Sequence, residues 1–462
     1  MKLANQIEKL FKLLLPNPFT IAVILTFVSM ITAFCYNWDN SKDFGHQCIT
    51  IISYWEEGLW NPSLLVFSMQ MVLMLVLGNV LALSKPLIKG INFMTKFCNN
   101  TAKSAFWVCL LSLIISLFNW GLGLIFGALF ARKVAENAKK KNWVIHYPLV
   151  GACGYAGLMV WHGGFSGSAP VKVAEVGHLK SLMADIYSAK KLAALPDHLT
   201  FAETVLSPMN IFVSACLLIM LPILVFGIGS KIKSKPFQLN PLIIDDVPIA
   251  INGAEKLDHS KVLALILGLG IISFSFYKAF LLPQNINLNF INPNFINFSL
   301  LGLCILFHGN FYRFLKAIEN AIGGTSGILI QFPLYFGIMG LMKHSGIVVG
   351  LSDFFVQISS EQNFPLFTFF SSGIVNIFVP SGGGQWAIQG PILIEASQQL
   401  GIQLGKSIMA MAYGDQITNM LQPFWALPLL GITGLKAKEI LPYTLILMIM
   451  GVIIFIGGLL IF

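Results

Sequence analysis

The stretches WHGGFSGSAP at residues 161–170 and VPSGGGQW at residues 379–386 each interrupt a long apolar segment with small and helix-breaking residues. In a bilayer, every backbone group that such an interruption frees costs several kcal/mol unless another group satisfies it. Two interruptions, one in each half of a chain, are the usual sequence sign of a transporter's central binding site. We name residues 161–170 the first break and residues 379–386 the second break, and we expect both to lie in the membrane.

The composition is that of a polytopic membrane protein. Hydrophobic residues make up 56% of the 462 residues and charged residues 11%, against about 25% charged in soluble domains. Several apolar stretches reach the roughly 20 residues that a spanning helix needs. The net charge of +9 comes from lysines in the loops between these stretches, which favours the positive-inside pattern over a nucleic-acid partner. We therefore expect an all-α polytopic membrane protein.

The chain divides into two transmembrane halves. We expect an N-terminal interfacial helix, a first half, a lysine-rich cytoplasmic loop and a second half, at residues 1–17, 18–229, 230–261 and 262–462, respectively. The acidic loop 37–57 should lie outside. Seven cysteines at irregular spacing indicate neither a zinc site nor a disulfide framework.

Charge places two consecutive loops on the same side of the membrane. Residues 85–103 carry four lysines and no acid, and residues 132–146 carry five basic side chains, so both loops should be cytoplasmic. The apolar stretch 104–131 between them contains FNWGLG at 118–123. We interpret this stretch as a re-entrant helical hairpin, with a single long tilted helix as the alternative.

The second half repeats this order of elements. Stretch 321–342 carries QFP at 331–333 in its middle and is a second hairpin candidate. A broken stretch follows each hairpin, at 147–177 and 364–397, and both begin with an aromatic residue, proline and leucine. Because inverted repeats are common in transporters, we expect two inverted repeats, each with a re-entrant hairpin and a broken transmembrane helix.

The breaks have the chemistry of an anion site. A helix that begins in mid-membrane presents unpaired N–H groups and about half a positive charge, which suits a carboxylate. Glycines that only pack helices together are the structural alternative. The candidate substrate-binding residues are the small and polar members of the breaks: His162, Ser166, Gly167, Ser168, Ser381, Gly382, Gly383, Gly384 and Gln385.

Asp415 is the clearest charged residue inside an apolar stretch. An acidic side chain in the membrane is a functional candidate because it is expensive to bury. We assign the coupling ion to Asp415 with Thr418 and Asn419, where Asp415 would bind a cation or carry a proton. A helix cap or a structural ion pair is the alternative. Apart from Na⁺ as one candidate for that ion, we expect no metal and no cofactor.

Short blocks along nearly the whole chain carry a family resemblance. In order they are LPNPF (15–19), MQM (69–71), NWGLGL (119–124), VWHGG (160–164), SGSAP (166–170), QFP (331–333), VPSGGGQW (379–386), GDQ (414–416), TNM (418–420) and QPFWALP (422–428). This set resembles the bacterial short-chain fatty acid transporter family of the AtoE type, within the ion-transporter superfamily. The resemblance implies uptake of short monocarboxylates such as butyrate or acetoacetate across a bacterial inner membrane.

We therefore expect a non-enzymatic secondary transporter that couples a small carboxylate to H⁺ or Na⁺. The chain has no G-x-x-x-x-G-K-[ST] motif for nucleotide-driven transport. Alternatives are a carrier for another small carboxylate, a channel, and an intramembrane serine protease, since GFSG at 164–167 matches a rhomboid-type motif and His308 would be its base. The expected partners are the carboxylate and the lipid bilayer, and a homodimer is possible.

Overall fold

The structure is a computed structural model that describes residues 18–82, 84–184, 187–234, 237, 239, 253–282 and 293–462. The interfacial helix expected at 1–17 lies outside these residues, as do residues 240–252 of the cytoplasmic loop expected at 230–261. The described helices of the first half are α1 (Pro18–Tyr36), α2 (Phe44–Leu59), α3 (Pro62–Ala82), α4 (Lys85–Thr95), α5 (Thr101–Phe118), α6 (Trp120–Lys140), α7 (Tyr147–Tyr155), α8 (Ser168–Lys172), α9 (His178–Leu182), α10 (Ala189–Ala194) and α11 (Pro208–Lys231).

The rest of the chain is helical in the same way. The loop contains α12 (Glu255–Asp258), and the helices that follow are α13 (Lys261–Phe276), α14 (Pro293–His308), α15 (Phe311–Ile322), α16 (Ser326–His344), α17 (Ile347–Gln357), α18 (Phe364–Phe378), α19 (Gly382–Leu400), α20 (Leu404–Thr418), α21 (Pro423–Thr433) and α22 (Ala437–Ile461). Six of the described helical segments are long and apolar enough to cross a membrane: those in α1, α3, α5, α11 and α22, and Lys261–Leu281. The expectation of an all-α polytopic membrane protein is confirmed.

Helices α5 and α6 form a helical hairpin with Asn119 at its corner. Asn119 has extended backbone angles, φ −153° and ψ 123°, and its side chain accepts a hydrogen bond from the Leu122 amide at 2.9 Å. The two helices touch next to this corner, because a Cβ added to Gly123 would lie 1.8 Å from the Ser116 hydroxyl. The first hairpin therefore follows from an asparagine cap and a glycine that permits close packing.

The second hairpin candidate has a different form. Residues 326–344 make one continuous helix, α16, which passes through Gln331, Phe332 and Pro333 without interruption. The chain bends earlier, in a 3₁₀ turn at Gly323–Thr325. A proline in a membrane helix removes one backbone hydrogen bond but does not have to end the helix, so QFP is not a turn signal here.

Two further segments differ from expectation. The acidic loop 37–57 is mostly helix α2, which begins at an Asp43 cap and packs on α16 so closely that a Cβ on Gly58 would lie 2.4 Å from the Phe336 carbonyl oxygen. The apolar stretch 403–430 is interrupted at residues 419–422, between α20 and α21. We name residues 419–422 the third break.

Helices α18 and α20 pack together through glycine. A Cβ added to Gly414 would lie 2.1 Å from the Phe369 carbonyl oxygen and 2.9 Å from Cβ of Ser372. Across the same contact, a Cβ added to Gly373 would lie 3.3 Å from the Gly414 carbonyl oxygen. Only glycine lets these two backbones approach so closely, and the contact sets the distance between the second and third breaks.

We predict that Gly414→Ala destabilises the protein by about 1–3 kcal/mol, because the new methyl group overlaps the α18 backbone. The melting temperature of the detergent-purified protein measures the effect. Gly457→Ala in α22 is the matched control, since a Cβ there would meet no atom within 4 Å. Equal melting temperatures for the two variants would contradict the close packing of α18 on α20.

Candidate functional site

The first break, the second break and α20 meet at Gly382. A Cβ added to Gly382 would lie 2.9 Å from each of three atoms: Oδ2 of Asp415, Cε1 of His162 and Cη2 of Trp161. The side chains of His162 and Asp415 are 0% and 1% exposed. Residues that are more than two hundred positions apart in sequence thus form one buried point of contact, and any other residue at Gly382 would push them apart.

Both ring nitrogens of His162 lie against polar atoms. Nδ1 contacts Oδ2 of Asp415, and Nε2 accepts a hydrogen bond from the Ala169 amide at 3.1 Å. A nitrogen that accepts from an amide carries no proton, so the hydrogen-bond network assigns the ring proton to Nδ1, where it faces the carboxylate. His162 is therefore held between the start of α8 and the carboxylate on α20.

Side-chain amides satisfy the freed backbone of the first break. Oε1 of Gln416 accepts from the backbone amides of His162 at 2.9 Å and Gly163 at 3.4 Å. The Asn210 side chain donates to the Gly163 carbonyl at 2.8 Å and accepts from the Tyr413 hydroxyl at 3.0 Å. Helices α20 and α11 thus supply the partners that the bilayer cannot.

Three predicted residues of the first break make structural contacts. Oγ of Ser166 accepts from the Trp120 amide at 2.9 Å and so seats the corner of the hairpin on the break. Gly167 packs against the His162 carbonyl, because a Cβ there would lie 2.0 Å from its oxygen. Ser168 begins the short helix α8 and is partly exposed. These residues shape the break around His162.

The second break ends in a helix start that faces open space. Ser381 caps α19: its hydroxyl accepts from the Gly384 amide at 3.2 Å and its carbonyl from the Gln385 amide at 2.8 Å. The amides of Gly382 and Gly383 donate to no group in the part of the chain that the structure describes. Gly383 is exposed, and a Cβ there would meet no atom within 4 Å. The start of α19 therefore has two unpaired amides, one beside the His162–Asp415 contact and one next to an open volume.

Gln385 turns its amide hydrogens away from this space. Its Nε2 donates to the Ser372 carbonyl at 2.9 Å and to Oε1 of Gln389 at 2.7 Å. The side chain is fully buried, and only its Oε1 has no partner among the described residues. The structure therefore places Gln385 as a link between α18 and α19, with one acceptor left over.

Thr418 and Asn419 gather around Asn376 instead of the Asp415 carboxylate. Nδ2 of Asn376 lies 2.6 Å from the Asp415 carbonyl oxygen, 2.9 Å from the Thr418 hydroxyl and 2.8 Å from Oδ1 of Asn419. The Tyr155 hydroxyl donates to the Asn419 carbonyl at 2.8 Å. The third break is thus held by a second set of polar side chains, while the Asp415 carboxylate contacts His162.

Sequence reasoning missed the residues that satisfy these breaks, namely Gln416, Asn210 and Asn376. Each is a neutral amide inside an apolar helix, where an unpaired amide costs free energy. This cost could have been used to predict the contacts. A buried asparagine or glutamine in a membrane helix needs a hydrogen-bond partner, and the freed backbone of a break supplies one.

The protease alternative finds no support in the geometry. Oγ of Ser166 already accepts from the Trp120 amide, and Nε2 of His308 lies 2.9 Å from the Val80 carbonyl oxygen on α3. No contact between Ser166 and His308 occurs among the described residues, so the GFSG sequence serves the fold of the first break.

The family model and the sequence relatives that match this chain agree on one family. The family model described as "Short chain fatty acid transporter" matches residues 1–462. Two relatives, from Haemophilus influenzae and Escherichia coli, bear the name of a short-chain fatty acid transporter. They are 37% identical over 452 residues (96% of each chain) and 36% identical over 462 residues (97% of this chain and 96% of the relative), respectively. The YdaH transporter of Alcanivorax borkumensis aligns over 96% of this chain and 98% of its own, with 13% identity and a TM-score of 0.42.

We predict that Gln416→Leu lowers the free energy of unfolding by about 1–3 kcal/mol, because it leaves the buried amides of His162 and Gly163 without an acceptor. Gln399→Leu is the matched control, since Gln399 is exposed and its replacement should change stability by less than about 0.5 kcal/mol. Thermal melting of both purified variants tests the difference. A melting temperature of Gln416→Leu equal to that of the control would refute the role of Gln416.

Proposed function

Since the chain belongs to the short-chain fatty acid transporter family, we propose that it is a secondary active transporter that imports butyrate- or acetoacetate-like monocarboxylates. It works as a multi-pass protein of the bacterial inner membrane and couples uptake to H⁺ or Na⁺. A carrier for another small carboxylate is the second candidate, because the same helix end would bind any carboxylate of that size.

One observation carries the proposal: α19 begins with two unpaired amides, of which that of Gly382 lies at the contact with His162 and Asp415 and that of Gly383 lies next to open space. Such a helix start binds a carboxylate through its N–H groups and its dipole without a buried cationic side chain. The site is therefore selective for negative charge yet weak enough to release its ligand, as a carrier requires. Gly382 and Gly383 would contact the carboxylate, and Ser381 would orient the helix start.

The apolar side of the site suits a short acyl chain. Trp161, which adjoins Gly382, belongs to a cluster with Trp120 and Trp425, with ring centroids 6.0 Å and 6.5 Å from those of Trp161. On the other side, Cε of Met339 would lie 3.2 Å from a Cβ on Gly384. Indole and thioether surfaces adapt to small apolar groups, which supports a monocarboxylate with a few methylene groups.

The membrane arrangement is part of the proposal. We place the α5–α6 hairpin as a re-entrant element that enters from the cytoplasmic side, because basic residues flank it at both ends. The two halves are proposed to be inverted repeats around the breaks, as in many secondary carriers. A homodimer is compatible with this arrangement.

We predict that Gly383→Leu, alone or with Ser381→Ala, lowers the initial rate of labelled butyrate uptake into proteoliposomes at least tenfold. The leucine side chain has room to fold but occupies the space where the carboxylate would bind; a tenfold loss corresponds to about 1.4 kcal/mol. Protein-free liposomes give the passive background.

Gly270→Leu in α13 is the matched control, because a Cβ there also meets no atom within 4 Å. Its uptake should equal that of the wild type. If Gly383→Leu transports butyrate at the control's rate, the anion site is not at the start of α19. Competition by acetoacetate, but not by a dicarboxylate, would distinguish the first candidate substrate from the second.

A further inference from the structure

We infer that the coupling ion is a proton, which the buried Asp415–His162 pair carries together with the substrate anion. This inference rests on the proposed carboxylate transport and names the ion that accompanies it. Thr418 and Asn419, which the sequence grouped with Asp415 as ion ligands, then serve the third break.

The surroundings of the Asp415 carboxylate suit a proton better than a metal cation. Hard cations bind in a cage of several oxygen ligands. Oδ2 of Asp415 instead faces Nδ1 of His162 and lies in the confined space at Gly382, next to the Trp161 ring. An O–H bond needs no such cage.

The hydrogen bonds of His162 determine where an added proton goes. Nε2 is occupied by the Ala169 amide, and Nδ1 already carries the ring proton that faces Asp415. A further proton on Nε2 would set two donors against each other. The incoming proton therefore forms an O–H bond on the Asp415 carboxyl, and that bond breaks when the proton leaves on the other side of the membrane. No covalent bond to the substrate forms.

Charge repulsion links the proton to the anion. Oδ2 of Asp415 adjoins Gly382, whose amide belongs to the proposed carboxylate site. Two carboxylates that share a buried site resist being charged at the same time. The substrate anion is thus accepted when Asp415 is protonated, and because the charges of the proton and the anion cancel, loading leaves the net charge of the site unchanged. Binding of one favours binding of the other, which is the requirement for symport.

The other titratable side chains that the structure describes on the helices around the pair are engaged elsewhere or lie at the far ends of these helices. Tyr413 donates to Asn210, and Tyr155 donates to the Asn419 and Gln422 carbonyls. Lys172 on α8 pairs with Glu175, and Glu395 on α19 pairs with Lys191. Lys406 lies in the first turn of α20, whereas Asp415 lies in its last turn. Among the ion pairs of the described residues, His162 and Asp415 pair only with each other. The pair therefore responds to protons and substrate without a third charge.

The test measures proton uptake on substrate binding. Butyrate is added to the wild-type protein in weakly buffered detergent at neutral pH, and a pH-sensitive dye reports the protons taken up. We expect about one proton per bound butyrate, with a new infrared band of a protonated carboxyl. In Asp415→Asn, the butyrate that still binds should be accompanied by no proton uptake. Asp353→Asn, which neutralises an exposed carboxylate of α17, should behave like the wild type.

Proteoliposomes complete the test. With passive entry into protein-free liposomes subtracted, a pH gradient should drive accumulation in the wild type, whereas a Na⁺ gradient at clamped pH should not. Butyrate exchange without proton uptake, or accumulation driven by Na⁺ alone, would overturn the proton assignment and leave the proposed function intact. Absence of butyrate binding and exchange in the wild type would overturn the proposed function itself.

Discussion

Every freed backbone group in the membrane interior needs a partner, and the site depends on how the chain meets this constraint. The first break has backbone groups that cannot form hydrogen bonds within a helix. Gln416 accepts a hydrogen bond from one of its amides, and Asn210 donates one to one of its carbonyls. Asn376 does the same for the third break. Because Gln416 is the neighbour of Asp415, the helix that satisfies the first break also presents the carboxylate to His162. Structural need and proposed ion coupling are thus joined in one helix.

Glycine makes these long-range bonds possible. The side chains of asparagine and glutamine are short. They can therefore bond to the backbone of a neighbouring helix only where the two helices lie close together. At Gly414 the α18 and α20 backbones touch, and at Gly382 the second break touches both His162 and Asp415. Glycine therefore has two roles in this protein: some positions bring helices together, whereas Gly383 leaves space open.

The sequence predicted the features that depend on local pattern. The all-α membrane fold, the breaks near 161–170 and 379–386 and the hairpin corner near Asn119 all follow from apolar length, helix breakers and loop charge. It did not predict the third break, because Pro423 and its neighbours lie in an apolar stretch that reads as one helix. The prediction of a hairpin turn at QFP (331–333) was wrong, because the surrounding protein lets α16 continue through Pro333.

Some site residues could likewise be predicted from the local sequence pattern, whereas others depend on the tertiary fold. Asp415 and the second break were recognisable, since charge and consecutive glycines are rare in apolar stretches. The partners of His162 were not, because Gln416 and Asp415 are about 250 residues away in sequence and only the tertiary fold brings them close. Likewise, nothing local indicates that the amide hydrogens of Gln385 point to α18 while the amides of Gly382 and Gly383 stay unpaired.

The central claim is that the start of α19 binds the substrate carboxylate beside His162 and Asp415. A crystal structure with a bromine-substituted butyrate tests this claim directly, because the anomalous signal of bromine locates the acyl chain. The account predicts a bromine peak near Trp161, with the carboxylate on the amides of Gly382 and Gly383. A peak elsewhere in the protein, with these amides unoccupied, would contradict it.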